Sequence, residues 1–441
     1  MRCHFVHAAD IHLGYEQYNL AKRANDFARA YLAMVQYAVE HEVDFVLVAG
    51  DLFHRANADA WTLKQATAGL SMLRDAGIPV VTIEGNHDVQ HYRKNLSWLE
   101  YLCDQELLIL LNVQVESNGL KRLVPFDPGE RRGSYVDLAG VRIYGIKYYG
   151  AMLPRVLVDV GPDLLPGPEG YTVLMLHTGL EGQVPHMHGG LSHGQIQPLH
   201  PPVDYLALGH VHKRLYNEYD WVFNPGSLET NSFEEIEWPH GFFDVTVNTA
   251  IEPKHVVQEI ATPGLRPFRR ISVSAEGCVS LEEFVGRAQD RIASARGVPE
   301  EAVLELHLGG VAEFRRQDVP LEQLKGALEV RFSPLTVRVK SALIPPGIVN
   351  ASRDRSMSRA ELERSVVEQL VFQHAEYRDR AAAWAKLIVE VKNMAVERDL
   401  PASIADHIGS TLSRLVAPDK DETVTQEPSP DGDPSPALEE P

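Results

Sequence analysis

Cysteine is nearly absent. The 441 residues contain three, Cys3, Cys103 and Cys278, far apart and without a Cys-x-x-Cys pair. That excludes a disulfide framework and a thiolate zinc site. No apolar run approaches the roughly 20 residues that cross a bilayer. The opening MRCHFVHAADIHLG has no long apolar core and no small-residue cleavage site, so no secretory leader is expected. A cytoplasmic protein without a membrane association is expected. Positive charge is also scarce. Lys and Arg number 42 against 61 Asp and Glu, a net charge of -19. A simple DNA-coating protein would be basic, so any DNA contact must rest on local basic patches or on metal ions.

Part of the acidic excess is local. From Pro418 the chain reads PDKDETVTQEPSPDGDPSPALEEP, with eight acidic residues and one lysine. Rich in Pro and poor in large apolar residues, the segment 417–441 is expected to be disordered.

The first 245 residues or so alternate strand-like and helix-like segments. FVHAAD and DFVLVAGD read as strands, and so do VVTIEG, VRIYGI, YTVLMLH, VDYLALGH and WVFNPG. Asp26 to Val39 and Trp61 to Ala76 carry apolar residues at helical spacing. This rhythm implies parallel strands covered by helices. GFFDVTV closes the region as a strand with period-two alternation. From about Pro267 a β-α-β-α-β unit follows and ends at Pro-Pro-Gly, 345 to 347. Beyond Ser358, which forms a capping box with Glu361, the pattern is helical to about 415.

Five strands end in side chains that bind metal. They finish at Asp10 and His12, at Asp51, at Asn86, His87 and Asp88, at His177, and at His210 and His212. The carboxyl ends of parallel strands share one edge, where ligand sites form, so these endings should converge. A set of imidazoles, carboxylates and an amide without thiolate suits Mn, Fe or Zn. Seven ligands exceed what one tetrahedral ion needs. They suit two ions sharing a carboxylate, roughly 3.5–4 Å apart, clamping the oxygens of an in-line phosphoryl displacement.

The ordered pattern Asp-x-His, Gly-Asp, Gly-Asn-His-Asp, His and Gly-His-x-His resembles the calcineurin-like metallophosphoesterase superfamily. The resemblance implies a four-layered αββα sandwich and a two-metal phosphoester hydrolase. It implies one ion on Asp10, His12, Asp51 and His212, and a second on Asp51, Asn86, His177 and His210. His87 then serves the leaving oxygen, with Asp88 orienting it. GDLFH at 50 to 54 and ADIHLG at 9 to 14 are similar to the SbcD-type branch, relatives of the eukaryotic double-strand-break repair nuclease. That likeness implies a catalytic His54, manganese as the metal, and DNA as substrate for an exonuclease with endonuclease activity. It also implies an SMC-like ATPase partner of the SbcC type, and the branch often forms homodimers. The expected organisation is an α/β nuclease domain over 1–265, a small α+β capping domain over 267–347 that helps hold duplex DNA, and a helical partner-binding segment over 355–416. The alternatives are a small-molecule phosphodiesterase or phosphatase, or a scaffold for the ATPase.

Three smaller expectations accompany these. His186, His188 and His193 form a His-rich loop read as a polar loop. Asn224 to Ser227, NPGS, reads as a turn supporting the site. Arg131–Arg132, Lys213–Arg214 and Arg269–Arg270 are candidate phosphate contacts, each singly more in keeping with a solvated surface charge.

Overall fold

The computed structural model describes residues 1–89, 96–116, 119–184, 190–216, 218–344, 358–372, 374, 376–396 and 400–415. His186, His188, the Pro-Pro-Gly stop and the acidic tail lie outside them. The chain divides into two compact units. The first comprises Met1–Ile271, Ala295–Leu306 and Lys325–Arg338; the second comprises Ser272–Ser294, His307–Leu324 and the chain from Val339 onward.

Two sheets stack face to face in the first unit. One has six strands. Arg2–Ala8, Phe45–Val48, Val80–Thr82 and Ile109–Leu110 run parallel in that order, and Gly241–Asn248 then His255–Ala261 extend it antiparallel beyond Arg2–Ala8. The other has five, in the order Val222–Phe223, Tyr205–Gly209, Thr172–His177, Val141–Ile146 and Tyr135–Leu138. The expected αββα sandwich is the fold observed.

Strict alternation along the strands builds its layers. Phe5, Phe45, Leu47 and Val81 turn inward against Ile143, Val173, Met175 and Tyr205 of the facing sheet. Their neighbours Val6, Val46 and Val48 turn outward beneath helices Ala21–Glu40 and Ala60–Asp75. On the far side, Tyr144, Leu174 and Leu206 pack under helix Leu153–Val160 and the Ile196–Leu199 segment. Both faces of these strands are buried, which is why they read as continuous apolar runs. The strand Gly241–Asn248 departs from its expected alternation. Gly241 to Val245 are buried on both faces because the strand sits between two others beneath the helices.

His7 pins the two sheets together. Its Nε2 donates to the Leu208 carbonyl at 3.2 Å, and its Nδ1 accepts from the Tyr205 hydroxyl at 2.9 Å. Complete burial pushes the imidazole down to about 3. The unfolded chain titrates near 6.5 and so binds the extra proton first as pH falls. Stability present above pH 6.5 is therefore lost as pH falls toward about 3. Urea titrations from pH 7 to 4 should show a shallower loss in His7→Gln than in the parent chain. An identical slope would refute the assignment.

The strands Phe268–Ser274, Val303–Val311 and Thr336–Ile344 form a three-stranded sheet in that order, with helices Leu281–Ser294 and Leu321–Phe332 between them in sequence. Among the described residues the helical stretch holds the α-helices Arg359–Phe372, Ala381–Val396 and Pro401–Leu415. Its capping box is present. The Ser358 N–H donates to Glu361 at 2.8 Å, and the Glu361 N–H donates to the Ser358 hydroxyl at 3.3 Å.

Candidate metal centre

The five strand endings meet at one shared edge of the sandwich, but not along one sheet. Asp10, His12, Asp51, Asn86, His87 and Asp88 leave the six-stranded sheet; His177, His210 and His212 leave the five-stranded one. Four of these residues turn sharply. Asp10, His12, Asp51 and His210 have φ of 52°, 51°, 55° and 83°. Non-glycine residues seldom adopt such angles, and they gather at functional sites where the surroundings enforce them. Gly85 allows the closest approach. A Cβ there would stand 2.1 Å from Asp51 Oδ1.

Donor atoms crowd two overlapping groups. Asp10, His12 and His212 bring one ligand atom each to within 4.8 Å of one another, and so do Asp10, Asp51 and His177. His12 Nε2 faces His212 Nε2 at 3.1 Å. Asn86 Oδ1 lies 2.8 Å from His210 Nδ1 and 3.1 Å from His177 Nε2. Asp51 stands between, with Oδ2 3.3 Å from His177 Nε2 and 3.9 Å from His12 Nε2. Ligands held about 2.1 Å from one ion stand roughly 3–3.4 Å from each other, so this spacing fits divalent cations.

The electrostatics fit as well. Burial pushes Asp10 up to about 6. Burial also opposes ionised Asp51, but the attraction of His177 and His12 outweighs it and holds Asp51 low. His177 answers in kind, raised to about 9 because Asp51 overcomes the cost of its burial. Burial lowers His12 and His210, leaving neutral nitrogens suited to coordination. A bound cation would supply the positive charge these buried carboxylates call for. The three cysteines are free and buried, and none belongs to these groups.

Outer contacts aim the ligands. His177 Nδ1–H donates to the Ala49 carbonyl at 2.8 Å, turning Nε2 inward. The NPGS turn does support the site: Asn224 donates to the Val211 carbonyl, between the two histidines, at 2.9 Å. Glu235 was not anticipated. Its carboxylate lies 2.9 Å from His212 Nδ1 and also accepts from the Asn231 N–H and the Ser232 hydroxyl. Behind it, fully buried Arg23 pairs with Asp26 and Glu229 and donates to the Thr230 carbonyl. Only the weak signal of a glutamate shortly after NPGS could have exposed this carboxylate. Glu235→Ala should weaken metal binding by roughly 10–100-fold, the usual cost of losing such a partner. Calorimetric titration of the metal-free chain measures it.

The expected support of His87 by Asp88 needs correction. Asp88 accepts from the Phe53 and Gly85 N–H groups, both at 3.0 Å, and so builds the turn. Burial pushes its carboxyl up to about 8. His87 Nδ1–H instead donates to the His54 carbonyl at 2.7 Å, and the His87 N–H donates to Asp51 Oδ1 at 2.9 Å. The His54 ring is sandwiched, stacked on Tyr15 at 3.7 Å and on His87 at 5.1 Å. His54 also joins His12 and His87 in a third group of potential ligands.

Other expectations separate here. His193 begins a short helix and stacks on Tyr219 at 5.9 Å, outside the three ligand groups. Arg131, Arg214 and Arg270 are tied to Glu106, Glu259 and Glu305. Lys213 donates to the Gln183 carbonyl. Arg132 is exposed.

Residues 3–214 match the calcineurin-like phosphoesterase family. The chain is 36% identical over 245 residues to the DNA double-strand break repair protein Mre11 of Archaeoglobus fulgidus, covering 52% of this chain and 51% of that one. It is 27% identical over 346 residues to the protein of that name from Aeropyrum pernix, covering 74% and 76%. With that from Saccharolobus solfataricus it shares 27% over 235 residues, covering 53% and 56%. The chain thus spans about half the length of the first and third of these relatives.

Proposed function

We propose, from the premise that this chain carries a calcineurin-like phosphoesterase domain over residues 3–214, a metal-dependent DNA phosphodiesterase acting in double-strand-break repair. It is an exonuclease with endonuclease activity. The observation that carries the reading is Asp51, set between two clusters of nitrogen and oxygen donors at a shared sheet edge. The similarity to archaeal repair proteins supports DNA as the substrate.

Asp10, His12, Asp51 and His212 would hold one divalent ion, and Asp51, Asn86, His177 and His210 a second. Donors without sulfur suit Mn, Fe or Zn, and manganese is the ion that the likeness to the SbcD-type branch implies. Bound ions would neutralise charge on the phosphodiester and acidify water. The residues do the rest. The His54 carbonyl holds His87 Nδ1–H, which leaves Nε2 free to pass a proton to the leaving oxygen. His54, fixed between Tyr15 and His87, gives a second imidazole to the phosphate. Asp88 shapes the turn that carries His87.

The wider reading keeps the expected organisation: a nuclease domain to 265, a capping domain over 267–347, and helices within 355–416 that dock on an SMC-like ATPase of the SbcC type. A homodimer and a cytoplasmic location belong to it. No helix among the described residues is long and apolar enough to cross a membrane.

Manganese-supplemented digestion of end-labelled linear duplex DNA, with His87→Ala alongside, tests the proposal. Progressive shortening that the variant lacks supports it and gives the polarity. Turnover of a generic phosphodiester without DNA cleavage would move the substrate to a small molecule. No hydrolysis with any divalent ion would leave a scaffold.

A further inference from the structure

The ligand cluster has an aromatic rim that the proposed reaction leaves unused. Tyr148 follows the strand Val141–Ile146 and reaches the same sheet edge as His177 and His210. Its ring centre lies 5.5 Å from that of His210, tilted by 39°, and 6.1 Å from that of His177, edge-on. The residue is only half-buried.

Its backbone is clipped in place. The Tyr148 N–H donates to the Glu84 carbonyl at 2.8 Å, two residues before Asn86. Lys147 Nζ pairs with the Glu84 carboxylate at 3.0 Å. The ring is thus set against the strand end that supplies Asn86.

A nucleoside bonded to a phosphate at the ligand cluster must lie against its rim. An aromatic face there stacks any base, since every base has a π-face. A cationic ligand would be repelled by the ions the cluster is built to hold; a neutral base would not. We propose that Tyr148 is the stacking platform for the nucleobase beside the scissile phosphodiester. This inference rests on the DNA phosphodiesterase reading.

The test walks an abasic site through each position of a short single strand. Affinity is measured by fluorescence anisotropy on the metal-free full chain, and cleavage by kcat/KM with manganese, for the parent, Tyr148→Ala and Tyr148→Phe. One abasic position should cost the parent chain roughly 5–100-fold in affinity. Tyr148→Ala should lose the same factor on the intact strand and nothing more on that abasic strand, while Tyr148→Phe keeps the parent's behaviour. The kcat/KM values should repeat this coupling. Additive losses would mean that Tyr148 only props up the histidines, and unchanged affinity would place the base elsewhere; either overturns the proposal. Absence of DNA cleavage in the parent chain would instead refute the phosphodiesterase reading, and the metal-free binding cycle would still decide the subsite.

Discussion

Asp51→Ala is expected to abolish hydrolysis and to empty both ligand groups. The carboxylate is 2% exposed and stands between them. Its two oxygens do different work: Oδ1 accepts the His87 N–H at 2.9 Å, and Oδ2 faces His177 at 3.3 Å. Losing it removes the carboxylate that faces both His177 and His12 and leaves the partly buried His87 N–H without its partner. Charge stabilisation by bound metal is worth several kcal/mol, and each 1.4 kcal/mol is about tenfold in rate. A fall of at least about 10³-fold follows. Elemental analysis after dialysis against manganese, beside DNA digestion, measures both effects. Circular dichroism on Asp51→Asn, which keeps the shape, separates loss of metal from loss of fold. Turnover retained in Asp51→Ala would end the two-ion mechanism.

His87→Ala should separate chemistry from metal binding. Turnover is expected to fall by about 10²–10⁴-fold, the range of a general acid, with metal content unchanged. The geometry makes this a demanding test. One nitrogen of His87 lies within 4.8 Å of ligand atoms of His12 and His54, so the ring is near enough to coordinate. If metal content falls together with turnover, His87 is a ligand and another group serves the leaving oxygen. Calorimetry with manganese, run on the same preparations as the digestion, distinguishes the outcomes.

Much of the centre was legible because metal ligands at strand ends leave a linear trace. A strand buried on both faces reads as an apolar run, and a polar pair such as Asp10 and His12 interrupts it visibly. Glu235 left no such trace. It reaches His212 across a loop, held there by the Asn231 N–H and the Ser232 hydroxyl. The Asp88 contact misled for the opposite reason. The resemblance implied that Asp88 orients His87, but the tight turn at Gly85 directs the carboxylate onto the Phe53 and Gly85 amides.

The sequence by itself determined the types of candidate donor, their order along the chain and the strands that carry them. These are local properties: strand periodicity, turn residues and donor chemistry. Only the tertiary structure decided that the ligands come from two facing sheets, that Asp51 falls between the clusters, and which backbone group orients His87. Those facts depend on stacking and on contacts between residues distant in sequence, 33 positions for His87 with the His54 carbonyl and 128 for His177 with the Ala49 carbonyl. Sequence spacing carries no information about them.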